Sequence, residues 1–289
     1  MRILITGAGG MLGRDVARAA AAANHDPIAL ARAELDVIDG DAVLATLVTA
    51  EPDAVVNCAA WTDVDGAESH ESDAELVNGA GAGHVAVAAA EVGAALVHVS
   101  SDYVFDGSAK EPYTESAPTG PLSAYGRSKL AGERAVAAAG GATAIVRSSW
   151  LFGVGGRNFV ATMLRLAAER DEIAVVDDQT GCPTYTLHLA RALVALAEEG
   201  ATGVHHVAGG GACTWFDFAR ETFAQAGGRA AECRVVPSTT AKQARPAPRP
   251  RYSVLGVTRA DTPRLPEWRD GLAAYLAEAG VGASAEARA

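Results

Sequence analysis

The 289-residue sequence predicts an α/β fold: a doubly wound parallel sheet with a smaller C-terminal α/β part. Three observations carry that expectation. Short β-branched apolar runs alternate with Ala-rich stretches through the first half, a glycine-rich turn follows the first run, and the regular order breaks down after residue 150. The runs lack the polar–apolar alternation of half-exposed strands, so they read as strands buried on both faces.

In chain order, strands are expected at residues 3–6, 27–30, 54–58, 94–100 and 144–148. Helices are expected between them at 12–23, 41–50, 72–92 and 123–139. That βαβα order is what a parallel sheet with helical crossovers requires. The second half offers a helix at 158–170, a strand at 173–176, a turn-rich stretch at 177–185, a helix at 187–198 and a strand at 203–207. Thr214 and Asp217 have the spacing of an N-cap and its capping-box partner. The run Arg-Pro-Ala-Pro-Arg-Pro-Arg at 245–251 is expected to be extended, because a residue before proline is pushed out of the helical region. Residues 1–150 form the expected dinucleotide-binding part, joined by a returning helix and strand near 186–208. Residues 151–185 and 209–280 form the substrate-binding part, and 281–289 a frayed tail.

With 49% hydrophobic residues the chain can bury a large core, which excludes a disordered or fibrous protein. Its 24 basic and 35 acidic residues give a net charge of −11. Such a surface repels nucleic-acid phosphates and anionic lipid, so neither nucleic acid nor membrane is an expected partner. Cys58, Cys182, Cys213 and Cys233 form no C-x-x-C pair, so reduced thiols are expected rather than zinc or disulfides. The apolar stretches 17–23 and 85–99 are broken by Arg18 and Glu91 and fall short of the ~20 residues that cross a bilayer. The first strand starts at once, leaving no room for a signal peptide. A soluble, cytoplasmic protein is the expectation.

The turn Gly7-Ala8-Gly9-Gly10-Met11-Leu12-Gly13 reads as G-x-x-G-x-x-G on Gly7, Gly10 and Gly13. It is not G-x-G-x-x-G, since Leu12 stands where the third glycine would fall. A tight turn, close approach to a pyrophosphate and close helix–sheet packing each exclude a side chain, and the helix start supplies amide donors. A Rossmann-like dinucleotide site follows. At the end of the second strand, Ala31 and Arg32 offer no acid to a ribose, and Arg32 can pair with a 2′-phosphate. NADPH is therefore favoured, with NADH the alternative. Asp36 and Val37 lie where the adenine would sit, and Asp36 reads equally as the end of a loop.

Tyr125 and Lys129 stand at i and i+4 on one helix face. A phenol with a reference pKa of ~10 works at neutral pH once a neighbouring ammonium lowers it. Ser101 lies at the C-terminal edge of the expected fourth strand, where an open α/β sheet presents ligand groups. It can donate to a substrate carbonyl while Tyr125 gives a proton.

These features resemble the extended short-chain dehydrogenase/reductase superfamily. Within it, Asn57-Cys58-Ala59-Ala60-Trp61-Thr62-x-Val64-Asp65, Ser101-Asp102-Tyr103-Val104-Phe105-Asp106-Gly107 and Tyr125-Gly126-x-x-Lys129-x-x-Gly132-Glu133 are similar to the dTDP-4-dehydrorhamnose reductase family. So are Arg147-x-Ser149-Trp150, Asp178-Gln179-x-Gly181-x-Pro183-Thr184, Thr214-Trp215-x-Asp217 and Arg249-Pro250-x-x-Ser253-x-Leu255. The resemblance implies NADPH-dependent reduction of the C4 ketone of a dTDP-6-deoxy sugar. Catalysis falls to Ser101, Tyr125 and Lys129. Gly10, Met11, Leu12, Ala60, Trp61 and Thr62 would lie along the cofactor diphosphate. Val99 would lie behind the nicotinamide, and Tyr125 and Lys129 would hold its ribose. Ser101, Asp102 and Trp150 would contact the dTDP-sugar. Some relatives bridge subunits with Mg²⁺, but no carboxylate cluster here can be assigned to it, and no metal-binding residue is expected. The residues set no oligomeric state; a homodimer is the assembly to test.

Two other readings stay open: a 4-ketoreductase or epimerase of another dTDP-deoxysugar, and a non-catalytic cofactor-binding regulatory subunit. Elsewhere, His205 and His206 point to opposite strand faces and cannot share a metal, one packed and one exposed. Cys58 and Cys182 read as small hydrophobes, and Asp177-Asp178 as a capping turn. Arg245, Arg249 and Arg251 are expected to fan out from the Pro-rich run as the positive charge for a substrate diphosphate, with Arg249 the substrate ligand.

Overall fold

The computed structural model describes residues 1–281. Of the expected tail, residues 282–289 lie outside the described residues. Strand β1 (Arg2–Thr6) leads into helix α1 (Met11–Ala22), then β2 (Asp26–Leu30), α2 (Gly40–Ala50) and β3 (Ala54–Asn57). Helices α3 (Glu71–Glu75) and α4 (Ala82–Val92) precede β4 (Ala95–Ser101), α5 (Ala124–Ala139) and β5 (Thr143–Ser148). Next come β6 (Leu151–Phe152), α6 (Phe159–Glu169), β7 (Glu172–Val176), β8 (Thr180–Gly181) and β9 (Thr184–Tyr185). The remainder is α7 (Thr186–Glu198), β10 (Gly203–His206), β11 (Cys213–Thr214), α8 (Trp215–Ala226), α9 (Gly228–Glu232), β12 (Arg234–Ser238) and α10 (Trp268–Glu278).

Six strands make one parallel sheet in the order β10-β5-β4-β3-β1-β2. The chain places β2 on one side of β1 and returns to set β3 on the other. The C-terminal ends of β1 and β3 therefore flank the switch point where open α/β sheets bind ligands. Successive strand residues serve opposite layers. Ile3, Ile5 and Val56 pack with Val16 of α1 and Leu193 of α7, while Leu4, Val55 and Leu96 pack with Leu47 of α2 and Val85 of α4. Each such side chain stabilises the fold by about 1.5–3 kcal/mol on burial. A helix and a strand from the second half, α7 and β10, thus complete the sheet begun by the first.

The structure departs from the sequence reading in several places. The expected single helix at 72–92 is broken by a π-helical turn, Leu76–Gly81. Its cause is the approach of α5: a Cβ on Gly132 would lie 2.0 Å from the Asn78 carbonyl oxygen. The stretch 177–185 is more ordered than a run of turns, because β8 pairs with β11 and β9 with β6. Strand β12, paired with β7, and helices α9 and α10 carried no expectation. Helix α10 has no side-chain cap to announce its start. His205 and His206 are both fully buried, so neither is the exposed member of the pair. The segment 256–262 covers them: His205 Nδ1 meets Thr262 Oγ1 at 2.8 Å, and His206 Nδ1 meets the Gly256 carbonyl at 2.9 Å.

Candidate active site

At the switch point, Gly7 has a φ of +66°, and a Cβ there would lie 2.6 Å from the Ala59 amide nitrogen. A Cβ on Gly13 would meet the Gly7 carbonyl at 2.5 Å, so α1 lies tight against the turn. Gly10 is the N-cap of α1 and no side chain caps it. The amides that open α1 are therefore available to a ligand anion. The Leu12 side chain is buried in the core, leaving only its amide for that task, and Met11 packs against Gly156. Residues Ala60, Trp61 and Thr62 follow β3 on the far side of the switch point. Asn78, turned inward by the π-helical turn, reads the Trp61 backbone from both sides: its Oδ1 accepts from the Trp61 amide (2.9 Å) and its Nδ2 donates to the Trp61 carbonyl (3.1 Å).

Arg32 stands beyond β2 with three quarters of its side chain exposed, its Nε 3.3 Å from Asp36 Oδ2. Val37 is buried in the core, and its carbonyl faces His84 Nδ1 at 3.1 Å.

Ser123 caps α5 by accepting from the Gly126 amide, which fixes Tyr125 in the first turn and Lys129 one turn on. Lys129 is buried, and its ammonium donates to the Val99 carbonyl at 2.8 Å. Burial draws its pKa down to about 8, against the opposing pull of Glu133. Burial pushes the Tyr125 phenol up to about 12, and the hydroxyl that counters this is Ser101. The Lys129 ammonium donates to the Val99 carbonyl rather than to the phenol. Ser101 is buried at the end of β4, accepts from the Tyr103 amide (3.2 Å) and donates to Asp102 Oδ1 (3.1 Å). Asp102 is itself buried, and desolvation lifts its carboxyl to about 7 despite the Ser253 and Ser101 hydroxyls.

Beneath α5, Glu133 accepts from Arg147 Nε (2.8 Å) and Nη2 (2.7 Å) and from Ser100 Oγ (2.6 Å). Both ionic side chains are only 6% exposed. This pair ties the helix carrying Tyr125 and Lys129 to β4 and β5.

Beside the Tyr–Ser pair, a cavity of about 550 Å³ opens among Tyr103, Gln179, Trp215, Thr240, Gln243 and Arg249. Tyr103 joins the two regions, since its ring meets that of Tyr125 edge-on at 5.6 Å. Trp150 does not line this cavity. Its ring stacks on Trp215 at 3.6 Å and 6°, covering Gly181, where a Cβ would fall 2.5 Å from the indole. The Trp150 backbone is left-handed, φ 49°, a strained state for a bulky residue that the stack holds in place.

Two of the three arginines of the Pro-rich run, Arg245 and Arg249, converge on one carboxylate instead of fanning out. Arg249 grips Asp65 with two bonds of 2.9 Å, and Arg245 approaches the same carboxylate at 3.6 Å. The Arg251 carbonyl accepts from the Thr180 amide. Sequence reasoning assigned no chemistry to Asp65, Asn78, Tyr103 or Trp215. Three of them stood inside motifs quoted for the resemblance, while Asn78 had no signal apart from its glycine-rich surroundings.

Cys58 is partly exposed at the end of β3, and burial pushes its thiol up to about 12; Cys182 is buried and raised to about 11. Neither is an activated nucleophile. Asp177 accepts from the Thr214 hydroxyl, and Asp178 from the Thr240 amide and hydroxyl, so both serve neighbouring helix starts. Thr214 and Asp217 form the expected capping box. Among the described residues no three His, Cys, Asp or Glu side chains gather as a metal site, and Mg²⁺ finds no support there. No helix of these residues is long and apolar enough to cross a membrane.

A switch-point glycine turn and a Ser–Tyr–Lys set at the end of a central strand define a dinucleotide-dependent oxidoreductase of the short-chain dehydrogenase/reductase type. The family described as "RmlD substrate binding domain" matches residues 1–281, and the chain belongs to it. It is 48% identical over 280 residues to a dTDP-4-dehydrorhamnose reductase of Streptomyces griseus, covering 94% of this chain and 91% of that one. It is 46% identical over 256 residues to a dTDP-4-keto-6-deoxy-D-glucose reductase of Streptomyces niveus, covering 88% of each. The structure is similar to a dTDP-4-dehydrorhamnose reductase of Bacillus anthracis in complex with NADP. The TM-score is 0.91 and the identity 37%, over 96% of this chain and 99% of that one.

Proposed function

We propose that the chain reduces the C4 ketone of dTDP-6-deoxy-L-lyxo-4-hexulose to dTDP-L-rhamnose with NADPH. The observation that carries this reading is the placement of Ser101 and Tyr125 beside the cavity of Tyr103, Trp215 and Arg249, in a chain with dTDP-4-dehydrorhamnose reductases among its relatives. Residues 1–150 with 186–208 hold the dinucleotide, and 151–185 with 209–280 hold the sugar nucleotide.

The turn fits a dinucleotide: Gly7 and Gly13 have no room for side chains, and the uncapped start of α1 offers donors to a diphosphate. Arg32 is the exposed cation at the end of β2 for a 2′-phosphate. When bound, the nicotinamide supplies the hydride that the ketone carbon takes up. Ser101 polarises the carbonyl oxygen, and Tyr125 delivers the proton that the forming alkoxide needs. Lys129, anchored on Val99 behind the nicotinamide position, holds the ribose and keeps a positive charge beneath the site. Tyr103 and Trp215 offer aromatic faces to the base, and Arg249 lies at the cavity wall for the diphosphate. The proposal places the protein in the cytoplasm, where free thiols and a nucleotide-sugar substrate agree; its assembly is to be read from solution mass.

The Streptomyces niveus relative supports a second reading, reduction of another dTDP-4-keto-6-deoxy sugar by the same residues. Substrate-dependent loss of NADPH absorbance tests the shared core of both. No oxidation of NADPH by either 4-keto sugar would sink the reductase reading and favour a non-catalytic, cofactor-binding role.

A further inference from the structure

Residues 249–255 form a strap that crosses the site from the C-terminal part. Thr180 pairs with it on both sides, its amide donating to the Arg251 carbonyl (2.8 Å) and its carbonyl accepting from the Ser253 amide (2.9 Å). Tyr113 grips the next turn, its amide donating to Val254 (2.9 Å) and its carbonyl accepting from Gly256 (2.8 Å). Gly107 lies so close below that a Cβ there would fall 2.6 Å from the Pro250 Cα. The strap cannot slide, and it aims the buried Ser253 side chain at Asp102 Oδ2, 2.6 Å away.

We propose that Ser253 is a positioning residue for the catalytic hydroxyl of Ser101, acting through Asp102. This role turns on where the protons lie and rests on the reductase reading above. Ser101 has a single proton, and in this arrangement it points at Asp102 Oδ1, 3.1 Å away. A proton given to Asp102 cannot also be given to a ketone. When Asp102 carries a proton on Oδ1, that proton is donated to Ser101 Oγ, and the Ser101 hydrogen turns free to the substrate. Ser253 decides which oxygen carries it. Asp102 is the one hydrogen-bond partner of the Ser253 hydroxyl among the described residues. Its short bond fixes Oδ2 as an acceptor, so the exchangeable proton is left on Oδ1, facing Ser101.

The titratable groups facing Asp102 are Tyr103 beside it, Tyr125 from α5 and Cys182 from the loop between β8 and β9. All three are raised by burial and stay neutral through pH 7. Lys129 titrates in the same region but is anchored on Val99, so the two groups must be read apart.

The test uses the full chain as wild type, Ser253→Ala and Ser253→Thr. The Asp102 carboxyl is titrated by ¹³C NMR on Asp-labelled protein, its signal identified by its loss in Asp102→Asn. Removing one hydrogen bond to a carboxylate is expected to raise the Asp102 midpoint by about one pH unit in Ser253→Ala. With saturating NADPH, kcat on the acid plateau, where Asp102 is protonated in both proteins, is expected to fall about twofold as its proton spreads over both oxygens, with KM near that of wild type. Its fall on the alkaline side moves to higher pH, and Ser253→Thr restores both readouts. An unmoved Asp102 midpoint overturns the proposal, as does a Ser253→Ala defect confined to KM or to thermal stability. The NMR arm decides the coupling whether or not the chosen sugar is turned over, so an inactive wild type overturns the functional reading alone.

Discussion

Arg249 and Asp65 meet through two parallel bonds of 2.9 Å, although 184 residues separate them in the chain. Asp65 follows the loop beside the switch point, and Arg249 opens the strap that carries Ser253. The pair joins the cofactor side of the site to the substrate side, with the guanidinium 13% and the carboxylate 30% exposed.

Arg249→Lys keeps the charge but loses the fork that matches a carboxylate. It is expected to destabilise the fold by about 2 kcal/mol, read as a lower urea midpoint. The Arg249 hydrogen bond holds the Asp65 carboxyl below its ordinary range. Its contribution is therefore full above the unfolded value of ~4 and lost as pH falls through the lowered one. The gap between wild type and Arg249→Lys should close in acid; a gap that widens would contradict the assignment.

Tyr125→Phe removes the proton donor and leaves the ring. Positioned proton transfer is typically worth ~10²–10⁴-fold, so kcat should fall by about that factor while NADPH binding is retained. Near-wild-type turnover would show that another group delivers the proton.

Lys129 ionises at about 8 because burial disfavours its charge. As pH rises through that value the site loses its cation, and kcat/KM should show a further decline with a midpoint near 8, separate from the Asp102 limb near 7. The decline should be missing from the residual activity of Lys129→Met. A profile flat from pH 7 to 9 in the wild type would contradict a working ammonium.

How much of this was legible in the sequence depends on how local each cause was. The apolar runs around Ile3, Val55 and Val97 announced the sheet, because burial on both faces leaves a continuous signature. Tyr125 and Lys129 were legible as i and i+4 on one helix, and Thr214 with Asp217 as a cap. The π-helical turn at Asn78 was not, since its cause is Gly132 pressing from another helix. The same holds for Trp150: its left-handed backbone answers to Trp215 and Gly181, which arrive from distant segments. The arginine run was read by composition, which showed the charges but not that Asp65 would collect two of them.

The Glu133–Arg147 pair is a buried ion pair that holds α5 against the sheet. Glu133→Gln leaves the Arg147 charge uncompensated and should cost about 3–5 kcal/mol in chemical denaturation. A loss below about 1 kcal/mol would mean that water reaches the guanidinium and that packing alone sets the helix.

On the proposed reading this site reduces a dTDP-4-keto-6-deoxy sugar and sets its C4 stereochemistry. The most direct measurement supplies enzymatically generated dTDP-6-deoxy-L-lyxo-4-hexulose with NADPH, follows absorbance and identifies the product sugar by NMR. The expected result is substrate-dependent oxidation that yields dTDP-L-rhamnose. A C4 epimer would contradict the assigned product, and tight NADPH binding without turnover would contradict the reductase itself.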